Sequence, residues 1–119
     1  MSSKKLFYAG QFRRAIWLAD ESGRFRAEKY FTSSQPRDRA KLQSLIEKHC
    51  DERHGIRNKQ KFRHEEDGIF VFKSFQDRLF CFEEQDRLYI THGLRKKQDA
   101  LLRKDLEIAF RLRRHHQAG

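Results

Sequence analysis

IFVFKSFQDRLFCFEEQDRLYITHGLRKK, residues 69–97, sets three short runs of β-forming residues between two nearly identical spacers. The runs are IFVFKSF (69–75), LFCFEE (79–84) and LYITH (88–92). The spacers are Gln76-Asp77-Arg78 and Gln85-Asp86-Arg87. Connections this short force neighbouring strands to run antiparallel, so the stretch predicts a three-stranded meander. Phe70, Phe72, Phe80 and Phe82 supply bulky apolar surface at strand period and are expected in the core, not on a base-stacking surface.

Outward from the meander the pattern changes period. RRAIWLA, 13–19, reads as a first strand ended by the turn signal Asp20-Glu21-Ser22-Gly23. Residues 24–33 read as a short helix, or as the return strand of a hairpin. Residues 33–54 read as a helix, with Ser34 as its cap, Pro36 in its first turn and Gly55 marking its exit. Leu42, Leu45, Ile46 and His49 form its apolar stripe, with His49 a packed edge residue and not a ligand. Lys96 to Arg114 reads as a last helix whose stripe includes Leu102, Leu106, Ala109 and Phe110, widened by Leu101, Ile108 and Leu112. His115 and His116 read as tail residues, and Glu65-Glu66-Asp67 as a turn. The expected fold is a small single α+β domain over residues 1–119, core about 13–112. Its antiparallel sheet, mixed through the N-terminal strand, is packed by N-terminal helices and a C-terminal helix.

Charge points toward a class of partner. The 119 residues carry 27 Lys and Arg against 17 Asp and Glu, a formal charge of +10. The excess sits at the ends: seven cations to three anions over 1–35, and eight to three over 91–119. Such a field draws polyanions, so nucleic acid or an acidic protein leads the partner classes. Cys50 and Cys81 lie far apart with no C-x-x-C pattern, which suggests free thiols in a reducing cytoplasm. No apolar run is long enough to span a membrane or to form an export signal. No metal set or cofactor motif is evident.

Strand alternation puts Ile69, Val71 and Lys73 on one face, Phe70 and Phe72 on the other, and Leu88, Ile90 and His92 together. The meander can then bring Lys73, Arg78 and His92 to one rim, with Arg95, Lys96 and Lys97 arriving from the next turn. A histidine among cations, without converging carboxylates, suits metal-free cleavage of RNA. His92 would take the proton of a 2′-hydroxyl, its unperturbed pKa of about 6.5 being depressed by the neighbouring cations. Lys73, Arg78 and Arg95 would stabilise the developing phosphorane charge. No residue stands out as the acid.

The order of these pieces resembles the phage-derived, HigB-like branch of the RelE/ParE toxin superfamily. The likeness runs through D-E-S-G-R (20–24), P-R-D-R-A-K (36–41), G-I-F-V-F-K (68–73) and R-L-F-C-F (78–82). It ends in L-Y-I-T-H-G-L-R-K-K (88–97) and K-D-L-E-I-A (104–109). The resemblance implies a ribosome-dependent endoribonuclease that cuts mRNA by 2′-hydroxyl attack, without cofactor or metal, and is held inactive by a cognate antitoxin. It implies catalytic roles for His92, Arg78 and Lys73. Arg95, Lys96 and Lys97, with Lys59, Lys61 and Arg63, are the expected RNA- or ribosome-binding cations. The family's strand arginine is replaced by Lys73, which lacks a two-donor fork, its glutamate by Val71, and its C-terminal tyrosine has no match. A ParE-like gyrase inhibitor and a non-catalytic nucleic-acid-binding protein are the alternatives.

Overall fold

The computed structural model describes residues 2–96 and 103–119. Along these residues the order is β1 (Lys4–Ala9), β2 (Arg14–Leu18), α1 (Arg26–Ser33), α2 (Pro36–Asp51), β3 (Phe62–Glu66), β4 (Ile69–Ser74), β5 (Asp77–Glu84), β6 (Arg87–Arg95) and α3 (Arg103–Ala118). The three runs of the meander are β4, β5 and β6, antiparallel neighbours in one six-stranded sheet ordered β1-β2-β6-β5-β4-β3. Strand β2 lies parallel to β6, so the sheet is mixed. The chain is an α+β domain.

Two apolar layers hold it together. Helices α1 and α2 cover one face, where Phe31, Leu42 and Ile46 meet Phe72, Leu79 and Ile90. Helix α3 covers the other, where Ala109, Phe110 and Leu112 meet Val71, Phe80 and Tyr89. Full burial of each large side chain here contributes about 1.5–3 kcal/mol. Phe72, Phe80 and Phe82 are buried and Phe70 packs against the first cluster. No helix among the described residues is long and apolar enough to cross a membrane.

Residues 24–33 resolve in favour of the helix. Helix α2 begins at Pro36 with no side-chain cap, because the Ser34 hydroxyl donates instead to the carbonyl of Tyr30 at 2.8 Å. Helix α2 ends at Asp51 with Glu52 as its C-cap, earlier than the expected residue 54, so Gly55 does not mark the exit. Gly55 has φ +67, and a Cβ there would lie 2.4 Å from the His49 ring, so only glycine fits.

Several boundaries differ from the sequence reading. The connections of the meander are two residues long, Phe75-Gln76 and Gln85-Asp86, since Asp77, Arg78 and Arg87 already belong to strands. Phe75 and Gln85 adopt φ +55 and +58, a left-handed conformation costing about 1–3 kcal/mol in a non-glycine residue. Strands β1 and β3 are additions. Glu65 and Glu66 belong to β3, and the turn is Asp67-Gly68. Strand β6 runs past His92 to Arg95. Lys96 follows it and donates its N–H to the carbonyl of Gln76 at 2.7 Å, so it extends the sheet and is not helical. The expected roles of Lys97, Leu101 and Leu102 fall outside the described residues. His116 is not a tail residue. Its ring packs at a tilt against Tyr89 and Phe82 and bonds Glu84 at 3.0 Å, which pins the end of α3 to β5.

Candidate functional site

Register builds a row of cations across the sheet. Lys73 of β4 pairs with Arg78 of β5, and Arg63 of β3 pairs with Val71. The Lys73 N–H also donates to the carbonyl of Lys61 at 2.8 Å, which puts those two lysines side by side. Alternation assigns Arg63, Lys73 and Arg78 to the side of Val71, the side that carries α3. Like charges on facing strand positions destabilise a sheet, so sheet stability does not explain this row.

His92 joins the same side through an irregularity. Phe80 pairs with His92 but Cys81 pairs with Ile90, so Thr91 is an extra residue on β6. The bulge reverses the alternation beyond it. Leu88 and Ile90 stay in the core under α1 and α2, whereas the His92 ring stacks on Phe80 at 4.2 Å. The expectation that Leu88, Ile90 and His92 share a face therefore fails. Its failure is what brings His92 to the side of Lys73 and Arg78.

The His92 ring is buried, 3% exposed, and its Nε2 has no hydrogen-bond partner among the described residues. Its Nδ1 lies 3.1 Å from the Thr91 hydroxyl, which donates its own proton to the carbonyl of Phe80 at 3.2 Å. The hydroxyl oxygen can then accept from Nδ1–H, the tautomer that puts the basic lone pair on Nε2, while a hydrogen bond to the Asp105 backbone favours the protonated ring. Burial pushes the imidazole pKa down to about 4, against the opposing pull of Asp105, and the charges of Arg26 and Arg111 push the same way as burial. The depression expected from Arg95 and Lys96 thus arises from desolvation and two other arginines.

The remaining cations divide into engaged and open. Arg78 is 3% exposed and donates to the carbonyls of Phe75 at 2.6 Å and Asp77 at 2.9 Å, so it braces the β4–β5 turn. Lys96 meets Asp105 of α3 at 2.6 Å, with both side chains largely buried, and ties β6 to the start of that helix. Arg95 is open to solvent, 3.9 Å from Asp77. Lys59, Lys61 and Arg63 are exposed and Lys73 half-buried.

Sequence reasoning missed three neighbours of this cluster. The Tyr30 phenol donates to buried Asp77, and burial followed by that bond raises its pKa. Phe75 is exposed at the β4–β5 turn, and the Lys41 ammonium lies 4.0 Å from its ring centroid. Neither contact leaves a periodic signal, because each joins a helix to the β4–β5 hairpin far along the chain.

Two further kinds of reactive side chain are buried in the structure. His49 meets Glu83 at 2.5 Å through Nε2 and accepts the Ile56 N–H at 3.0 Å through Nδ1, so both nitrogens hold structure. Cys50 and Cys81 are free, buried thiols whose pKa values burial raises, to about 12 for Cys50. Among the described residues no group of three or more His, Cys, Asp and Glu could hold a metal ion. No family model and no curated protein matches the chain.

Proposed function

We propose that the chain is a ribosome-dependent mRNA endoribonuclease toxin of the RelE/ParE superfamily, in its phage-derived HigB-like branch, acting in the cytoplasm and neutralised by a cognate antitoxin. The observation that supports it best is the Thr91 bulge, which puts a histidine with a free basic nitrogen on the side of Lys73 and Arg78. In the reaction, Nε2 of His92 takes the 2′-hydroxyl proton and the 2′-oxygen attacks the adjacent phosphorus. The bond from phosphorus to the 5′-oxygen breaks, that oxygen takes a proton from water, and a 2′,3′-cyclic phosphate remains. Lys73 and Arg78 stabilise the charge on the equatorial oxygens.

In the arrangement described, α3 closes the site. An imidazole held near pKa 4 is also a weak base at neutral pH. Releasing the ion pair between Lys96 and Asp105 would admit RNA and remove the burial penalty together. Access and basicity are thus coupled through one helix. An acidic antitoxin surface suits the field of +10.

Controlled expression in bacteria with mapping of mRNA 5′ ends tests this reading. Cuts confined to translated messages, reproduced with purified ribosomes and surviving chelation of metals, are expected. The burial of His92 and Arg78 favours a second reading in which the basic surface binds without catalysis. A ParE-like gyrase inhibitor would then cause DNA damage with mRNA intact, and a plain nucleic-acid binder would do neither.

A further inference from the structure

Phe75 breaks two habits of hydrophobic residues at once. It is 76% exposed, and it occupies the first position of a two-residue hairpin turn at φ +55, where glycine or asparagine would sit without strain. A bulky residue held in that conformation is a conformational outlier that fold stability does not require. Its ring has the Lys41 ammonium at 4.0 Å on one side, which leaves the other side to solvent. Lys41 reaches it from α2, packed against β4, so the ring is braced from a rigid element.

The surroundings of the ring are cationic and concave. A cavity of about 670 Å³ lies between α2 and the β4–β5 turn, lined among others by Lys41, Gln60, Lys61, Lys73 and Phe75. That volume falls within the range of small-ligand sites. None of the three lysines forms an ion pair among those the structure gives for the described residues. An exposed π-face flanked by uncompensated ammonium groups is the pairing that single-stranded nucleic acid demands: a surface for the base and charge for its phosphates.

We propose that Phe75 is a stacking platform for an unpaired base of single-stranded RNA, with Lys41 and Lys61 holding the adjoining phosphates. This rests on the reading that RNA is the ligand, but not on its cleavage. The platform lies at the turn braced by Arg78, so a base stacked on it would be held next to the cationic row.

Binding of short single-stranded RNA to the purified full chain, without ribosomes, tests it. Phe75→Leu should weaken binding roughly 5- to 100-fold while leaving the salt dependence unchanged. Lys41→Ala should flatten that dependence. Phe75→Trp should keep affinity and give an indole quenched by RNA, readable because the one native tryptophan, Trp17, is buried. An RNA carrying abasic positions should quench it far less. A deoxy oligonucleotide bound equally well, with the same dependence on Phe75, supports the platform and widens its ligand to any single strand. Phe75→Leu binding within twofold of the parent, abasic RNA binding as well as intact RNA, or an acidic peptide bound with the same Phe75 dependence would each overturn the platform. Ribosome-dependent cleavage that persists in such a case leaves the endoribonuclease reading standing. Phe75-dependent binding with no cleavage under any condition leaves only the platform.

Discussion

The imidazole of His92 lies nearly parallel to the ring of Phe80, 13° between planes and 4.2 Å between centroids. Stacking of this kind holds the ring orientation while leaving Nε2 unencumbered. The neutral form stacks and stays buried at far lower cost than the charged one, since its unpaired Nε2 carries no net charge.

The first consequence is a pH dependence of stability. The pKa of His92 is lowered from 6.5 to about 4 on folding, so the unfolded chain binds more protons between those values. The contribution is fully present above about pH 6.5 and is lost as pH falls toward 4, on the order of 3 kcal/mol in all. Denaturant unfolding of the parent and of His92→Gln across pH 4–7 measures it. Equal pH slopes for the two proteins would show that His92 is not held neutral.

Asp105 gives a test of closure by α3. It is 5% exposed and pairs with Lys96 at 2.6 Å. Asp105→Asn strands a largely buried ammonium, a loss of about 3–5 kcal/mol if the helix stays in place. If the first turn of α3 instead lifts, His92 gains water and its pKa rises toward 6.5. A rigid helix would send it lower still, because Asp105 opposes the depression. An NMR titration of the His92 ring separates the two directions, and upward movement is expected.

Arg78 is expected to act on fold and function together. Its guanidinium donates to two carbonyls of the β4–β5 turn, one of them on the strained Phe75. Arg78→Ala should cost about 2–4 kcal/mol by leaving those carbonyls unpaired, and should weaken RNA cleavage and ribosome binding alike. Thermal unfolding and ribosome co-sedimentation check the two parts. Unchanged stability in Arg78→Ala would mean that the turn does not depend on it.

The meander was legible because its apolar runs repeat at period two and its spacers are too short for anything but hairpins. Its edges were not. KKLFYA and FRHEE carry the charges that edge strands use against aggregation, and those charges hide the strand pattern. Ser34 reads as a helix cap by residue type, yet its hydroxyl is drawn to the preceding turn. The placement of His92 depended on the bulge at Thr91, which an ordinary threonine in a strand does not announce. Reading the strand as regular put His92 on the wrong face while still naming it. Phe75 reads as the last residue of a strand, and only its φ and exposure in the fold separate it from Phe70 and Phe72.

His92→Gln is the decisive substitution for catalysis. Glutamine keeps a polar side chain of comparable reach, so it can hold the bond to Thr91, but it cannot exchange a proton near neutral pH. If the histidine acts as general base, single-turnover cleavage on a programmed ribosome should fall roughly 10²- to 10⁴-fold with ribosome affinity nearly unchanged. Its pH profile should also change. The parent rate should rise with pH as the opened imidazole loses its proton, and the residual rate of His92→Gln should lack that limb. The shape of the profile separates chemistry from packing, since a merely destabilised protein would lose amplitude at every pH and keep the limb. Full activity in His92→Gln, with the same pH dependence, would place the proton transfer elsewhere and leave His92 as a stacking residue of the core.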